Sequence, residues 1–158
     1  MAFYKSQLLL SSVILVVLFL SACNTLQATE SKNLVITLER TECYGPCPVY
    51  RLTITGDGSV VYEGKNFVKA TGRQTTTISQ ERMRQLVSEF EKADFISLAD
   101  SYEQITVLDN PTVIVSITID GKSKTVRHYH GDKTAPKILT DLENKIDELA
   151  NTNQWIGR

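Results

Sequence analysis

The sequence predicts an α+β fold: a single domain in which two amphipathic helices pack on one face of an antiparallel sheet, in the order β-β-β-(β)-α-β-β-α. Three observations predict it. Residues 34–39, 49–55, 59–63, 112–119 and 123–129 are short runs rich in β-branched and aromatic residues, with apolar and polar side chains largely alternating. That is the period of a strand that buries one face. Two later segments change to helical spacing, Met83, Leu86, Val87 and Phe90, then Ile138, Leu139, Leu142, Ile146 and Leu149; each stripe needs an apolar surface to cover. Asp120-Gly121 separates two of the strand runs, and an Asp-Gly pair in that position is among the strongest hairpin signals.

Each element has a local reason. The first strand opens at Leu34, where the polar, patternless stretch 24–33 gives way to Leu34-Val35-Ile36-Thr37-Leu38. Gly56-Asp57-Gly58 turns the chain between the second and third strands. Residues 67–70 and 75–78 are further strand segments around Gly72. Ser79 stands where an N-cap belongs, with Glu81 in the first turn of a helix that runs to Lys92. Phe95, Ile96 and Leu98 are expected to dock the next loop onto the core. The last helix begins near Pro136, which suits the first helical position. The tail Asn153-Gln154-Trp155-Ile156 is expected to fold back, with Trp155 over a core edge. The sheet face without helices is the more polar one and the natural binding surface.

A different signal precedes the domain. Lys5 is the one charged side chain ahead of an apolar run from Leu8 to Leu20, which closes in Leu20-Ser21-Ala22-Cys23. A basic start, an apolar stretch and a small-residue cleavage site form a secretory signal. The run has thirteen residues, too few for a membrane span of about 20. With a cysteine directly after the small residues, the segment resembles the lipobox of bacterial lipoproteins. The resemblance implies that residues 1–22 are removed as a signal peptide and that Cys23 carries diacylglycerol. Residues 23–33 are then the lipidated tether and residues 34–158 the domain. Two or three acyl chains hold firmly, since each buried methylene adds about 0.8 kcal/mol. Asn24 after the lipidated cysteine implies an outer-membrane anchor facing the periplasm.

Charge narrows the partners. The 158-residue chain has 17 Lys and Arg against 18 Asp and Glu, and loss of Lys5 leaves the mature chain at −2. That balance argues against nucleic acid or anionic headgroups as dominant partners. The expected partners are the membrane, through the lipid, and another envelope component; no cofactor is implied.

Beyond Cys23 the cysteines are Cys43 and Cys47, in Cys43-Tyr44-Gly45-Pro46-Cys47-Pro48. An even pair in an oxidising compartment reads as a disulfide, and Tyr44, Gly45 and Pro46 at its tip form a candidate binding loop. Closing a loop of about five residues is worth roughly 2 kcal/mol in chain entropy. The pair is also a redox candidate. A thioredoxin-like centre, however, has two intervening residues and opens a helix, whereas here three intervene and a strand follows. A zinc site on the pair would need two more ligands, and there is no second Cys pair.

The string Cys43-Tyr44-Gly45-Pro46-Cys47-Pro48-Val49-Tyr50, with Gly56-Asp57-Gly58 and Tyr62 to Gly64 around a hairpin, resembles a bacterial envelope family of unknown function that carries a Cys-Tyr-Gly-x-Cys-Pro motif. Asp94-Phe95, Asp109-Asn110-Pro111-Thr112 and Gly121-Lys122 before Lys124-Thr125-Val126 are also similar to its pattern. The likeness runs from about Asn33 to Gly157. It implies a secreted or lipid-anchored single domain and transfers no activity or catalytic residue.

Catalytic signatures are missing from the sequence: it has no G-x-S-x-G elbow, H-E-x-x-H or glycine-rich phosphate loop. The histidines are His128 and His130, two apart on a strand and so on one face, and with Asp132 they form a partial metal constellation. Hairpin register decides which face. A two-residue turn at Asp120-Gly121 pairs Val113 with His128, while a three-residue turn through Lys122 pairs Val113 with Tyr129 and sends both histidines to the opposite side. The leading expectation is a non-catalytic binding or accessory module of the cell envelope. The alternatives are a thiol-redox accessory using Cys43 and Cys47, and a metal-binding protein using His128 and His130. Changing Cys23→Ser is expected to abolish lipid attachment, read as loss of alkynyl fatty acid label; equal label on mutant and parent would refute the lipobox reading.

Overall fold

The alternation along each strand run resolves into one buried face. In a computed structural model, residues 33–157 are described, and seven strands form one sheet. They are Val35–Arg40 (β1), Val49–Thr55 (β2), Ser59–Asn66 (β3), Gly72–Thr77 (β4), Ser101–Tyr102 (β5), Thr112–Ile119 (β6) and Lys122–Tyr129 (β7). The order across the sheet is β4-β3-β2-β1-β6-β7-β5. All pairings are antiparallel except that of β5 with β7. Gln80–Lys92 (α1), Lys137–Leu149 (α2) and the single turn Asn153–Ile156 (α3) complete the domain, with a 3-10 turn at Phe95–Ser97. The fold is the predicted α+β class. The signal segment 1–22, Cys23 and nearly all of the tether lie outside the described residues.

Register lines the inward side chains into three rows across the sheet. One row is Val60, Ile54, Ile36 and Ile117; the next is Tyr62, Leu52, Leu38, Val115 and Val126. Both are buried and apolar apart from the Tyr62 hydroxyl. The third row, Tyr50, Arg40, Val113 and His128, is equally buried but polar. Met83, Leu86 and Phe90 of α1 and Leu139, Leu142 and Ile146 of α2 complete the core. Each such side chain contributes about 1.5–3 kcal/mol on burial. Ser79 accepts from the Arg82 N–H at 3.3 Å, the N-cap that its position predicts. The outer face is hydrophilic as expected: Ser116 pairs with Thr125 and Thr118 with Ser123, while Glu39 sits between Arg51 and Lys65.

Several local expectations change. Residues 67–70 are not a strand; the Lys69 and Ala70 N–H groups donate to Ile156 and Trp155 carbonyls at 3.3 and 2.9 Å, so the tail holds this connection in place of a ladder. Phe95 docks against Phe90 in an edge-on contact, but Ile96 is exposed, and so is Ile138 at the start of α2. Pro136 precedes α2 as its N-cap residue rather than filling its first position. The hairpin is settled by its backbone: Asp120 and Gly121 have φ of 49° and 78°, the two-residue turn with both angles positive. Val113 therefore faces His128, which points into the core.

At one end of the third row, α2 meets the sheet through charge. Asp147 accepts from Arg40 Nη2 at 2.8 Å, from the Tyr50 hydroxyl at 2.7 Å and from Thr152 Oγ1 at 2.8 Å. Tyr50 stacks on Tyr62, which stacks on Trp155, at centroid distances of 5.3 and 5.1 Å. Asp147→Ala leaves the Arg40 guanidinium buried without its counter-charge, and about 3–5 kcal/mol of stability should be lost. Urea unfolding checks this, and the double change Arg40→Met with Asp147→Leu should recover much of the loss. Burial, and next the charge of Asp147, push the Tyr62 hydroxyl up to about 12 and that of Tyr50 further still. Unfolded tyrosines ionise at about 10. The neutral hydroxyls therefore stabilise the fold below that pH, and the contribution is lost as pH rises through the folded values. Tyrosinate absorbance from these two residues should appear only as the near-UV circular dichroism collapses.

Candidate functional site

The inward stripe of α2 contains acids. Glu143 and Asp147 lie one turn apart among Leu139, Leu142 and Ile146, and all five are buried. Asp147 is answered by Arg40 and Tyr50; Glu143, fully shielded from solvent, is answered by the two histidines. His128 Nδ1 lies 2.7 Å from Glu143 Oε1, and His130 Nε2 lies 2.8 Å from Oε2. The two imidazole rings are 4.7 Å apart. Burial works to raise the pKa of Glu143, but hydrogen bonds and charge from His128 and His130 outweigh it and hold the carboxyl below the usual range. An ionised carboxylate only accepts, so each facing ring nitrogen carries a proton. These three are the group among the described residues in which three ligand atoms from His, Cys, Asp or Glu lie within 4.8 Å of one another.

Local chain geometry produces the convergence. The two-residue turn sends His128 inward, and His130 follows on the same side just beyond the end of β7. The His130 N–H donates to the Pro111 carbonyl at 3.0 Å. Gly131 comes next, and a Cβ there would meet the Val107 carbonyl oxygen at 2.1 Å and the Tyr129 ring at 2.3 Å. Only glycine lets the connection 103–111 close over this corner, where the Val107 N–H and the Thr106 hydroxyl both donate to the Gly131 carbonyl. Asp132, expected to join the histidines, does not supply the carboxylate. It accepts from the Thr134 hydroxyl and N–H and from the Gln104 N–H, bonds that hold its carboxyl below the usual range. Glu143 takes that part, eleven residues after Asp132.

The same end of the sheet carries the Cys43–Cys47 clip. The two cysteines lie at disulfide distance, with Cα atoms 5.8 Å apart, on the connection between β1 and β2. Thr41 ties this connection to the start of β6 through its N–H to the Thr112 carbonyl and its hydroxyl from the Thr112 N–H. Tyr44 at the tip is 88% exposed, while Gly45 takes φ of 151°. Strand β2 follows Cys47, so the pair does not open a helix whose N-terminus would favour a thiolate. Connections 67–71 and 103–111 emerge at this end too, and Phe67, Ile105, Val107 and Leu108 are exposed on them. Five large apolar side chains are thus exposed on three connections at this end of the sheet. At the opposite end Ile96, Ile117 and Ile119 line a shallow cavity of about 340 Å³ with Val87 and Phe90.

The sequence singles out the clip, Tyr44 and the histidine pair but not Arg40, Glu143 and Asp147, which the fold brings to the same end of the sheet. The signal was present: Arg40 falls on the inward phase set by Ile36 and Leu38, and both acids fall within the apolar stripe of α2. No curated protein matches the chain. A family described as a domain of unknown function, DUF6438, matches residues 34–150. That span takes in all seven strands, α1 and α2, the clip and the cluster of His128, His130 and Glu143. The chain therefore belongs to the DUF6438 family.

Proposed function

We propose that this protein is a lipid-anchored, non-catalytic binding module of the bacterial envelope, and that the clip end of its sheet is the surface that docks. The carrying observation is the exposure of Tyr44, Phe67, Ile105, Val107 and Leu108 on connections that leave one end of a rigid sheet. Aromatic and aliphatic anchors of this kind dominate interface energetics once a partner desolvates them. The clip supports the reading because it limits the conformations of Tyr44 before binding, which lowers the entropy lost on association. The lipobox-like Leu20-Ser21-Ala22-Cys23 supports the anchor, and the slightly acidic balance is consistent with a protein or neutral envelope component as partner.

A photo-reactive phenylalanine analogue in place of Tyr44 or Leu108, in intact cells, should give one shared crosslinked envelope component. The same analogue in place of Ile119, at the opposite end, should give none. Crosslinks of equal yield at all three positions, or none at any, would count against the docking end. Tyr44→Ala should reduce capture at least tenfold with little change in melting temperature. Replacing both Cys43 and Cys47 with Ser should cost about 2 kcal/mol or less in stability while weakening capture, as measured by urea unfolding and by crosslink yield.

A further inference from the structure

We propose that His128, His130 and Glu143 bind a divalent first-row transition metal ion, zinc foremost. This rests on the buried cluster alone and is independent of the docking surface. Two imidazole nitrogens and one carboxylate are a donor set that zinc takes in sites with three protein ligands and water in the fourth position. Magnesium and calcium favour oxygen-only shells, so the two nitrogens select against them. The chain has two histidines in all, and both present a ring nitrogen to the same carboxylate, one to each oxygen.

The three ligand atoms already lie within 4.8 Å of one another. Ligands at about 2.0–2.2 Å from a tetrahedral zinc lie about 3.3–3.5 Å from one another. The nitrogen–oxygen separations are now 2.7 and 2.8 Å, and all three ligand atoms fall within 4.8 Å. To admit the ion, the two contacts open by less than about 1 Å, and the wider separations, up to 4.8 Å, close toward the same value. The proton on each facing nitrogen moves to the far ring nitrogen or leaves. Three separate elements hold the ligands: β7, the turn after it, and α2. One turn further along α2, Asp147 is bonded to Arg40 and Tyr50, so the helix that offers Glu143 is fixed to the sheet independently of the histidines. Such support keeps a site within a fraction of an ångström of binding geometry. Access comes from the His130 side: its side chain is 25% exposed, against 4% for His128 and none for Glu143. A water there would complete the fourth position.

The test uses the full chain purified in detergent and stripped of metal with a chelator. Zinc competition against a chromophoric chelator should give one ion per chain, and cobalt(II) should give the intense visible bands of a tetrahedral site. Zinc should also raise the melting temperature. His130→Ala, at the least buried ligand, and Glu143→Gln, which keeps the side-chain shape, should each weaken zinc binding at least tenfold and remove the tetrahedral cobalt bands. A Cys23→Ser chain, which lacks the one cysteine outside the clip, should bind zinc as the parent does. Metal-free melting curves establish that the variants are folded. Should Glu143→Gln fail to fold, the parent's two histidine ring resonances must still both shift on addition of one equivalent of zinc. No stoichiometric binding, a cobalt spectrum like that of the aqueous ion, or unchanged affinity in folded His130→Ala would overturn the proposal.

Discussion

A buried carboxylate has to find a partner within hydrogen-bond reach, and α2 carries two of them into its contact with the sheet. Leu139, Leu142 and Ile146 supply attraction without direction, because an apolar stripe tolerates sliding and rotation over an apolar surface. Glu143 and Asp147 remove that freedom. Asp147 has to lie over Arg40 and Tyr50 on β1 and β2, and Glu143 over the end of β7. The helix is thereby fixed in both position and rotation. The constraint also reaches back into the strands. A slip of one residue in β1 or β7 would send Arg40 or His128 to the outer face and take from a buried carboxylate one of its partners. Removing two acids and a guanidinium from water is unfavourable in itself, so the gain lies in excluding other registers and helix positions.

This division of labour explains how much of the fold could be read in advance. Period-two and period-3.6 patterns report burial, and burial is what forms β1, β2, β3, β6, β7 and both long helices, so those elements were legible. The pattern carries less information in short or polar segments. Ser101–Tyr102 is too short to show a period, and its parallel pairing with β7 rests on backbone bonds. Strand β4 consists of Gly72-Arg73-Gln74-Thr75-Thr76-Thr77, where propensity signals a strand but no apolar face marks its limits. Residues 67–70 looked extended because Phe67 and Val68 are good strand formers, yet the chain turns there through Phe67 at φ of 53°.

The candidate site was legible only in part, for a related reason. His128 and His130 could be placed on one face, but which face depended on a single residue of register, and positive φ at Asp120 is not visible in composition. The partner of the histidines comes from another element, and only tertiary packing brings it close. A charged residue on the buried phase of a helix or strand is nonetheless a readable mark. Arg40, Glu143 and Asp147 all bear it, and all three belong to the polar end of the core. The two ends of the sheet thus differ in kind. The hairpin end is apolar inside, with Ile36, Ile54 and Ile117, while the clip end has charge inside and apolar side chains outside.

The last residues have a structural weight that the family match does not convey. The match ends at Ala150, but Thr152 donates to Asp147, Trp155 stacks on Tyr62, and the Trp155 and Ile156 carbonyls accept from the connection between β3 and β4. A chain ended at the family boundary would uncover one side of an aromatic stack that reaches from Trp155 through Tyr62 to Tyr50. It would also leave two backbone donors in the 67–71 connection without acceptors. The boundary of the domain as a folding unit therefore lies past the boundary of its recognisable sequence. Variation confined to those final residues can alter the burial of Asp147 and the firmness of α2 while every residue of the matched span stays the same.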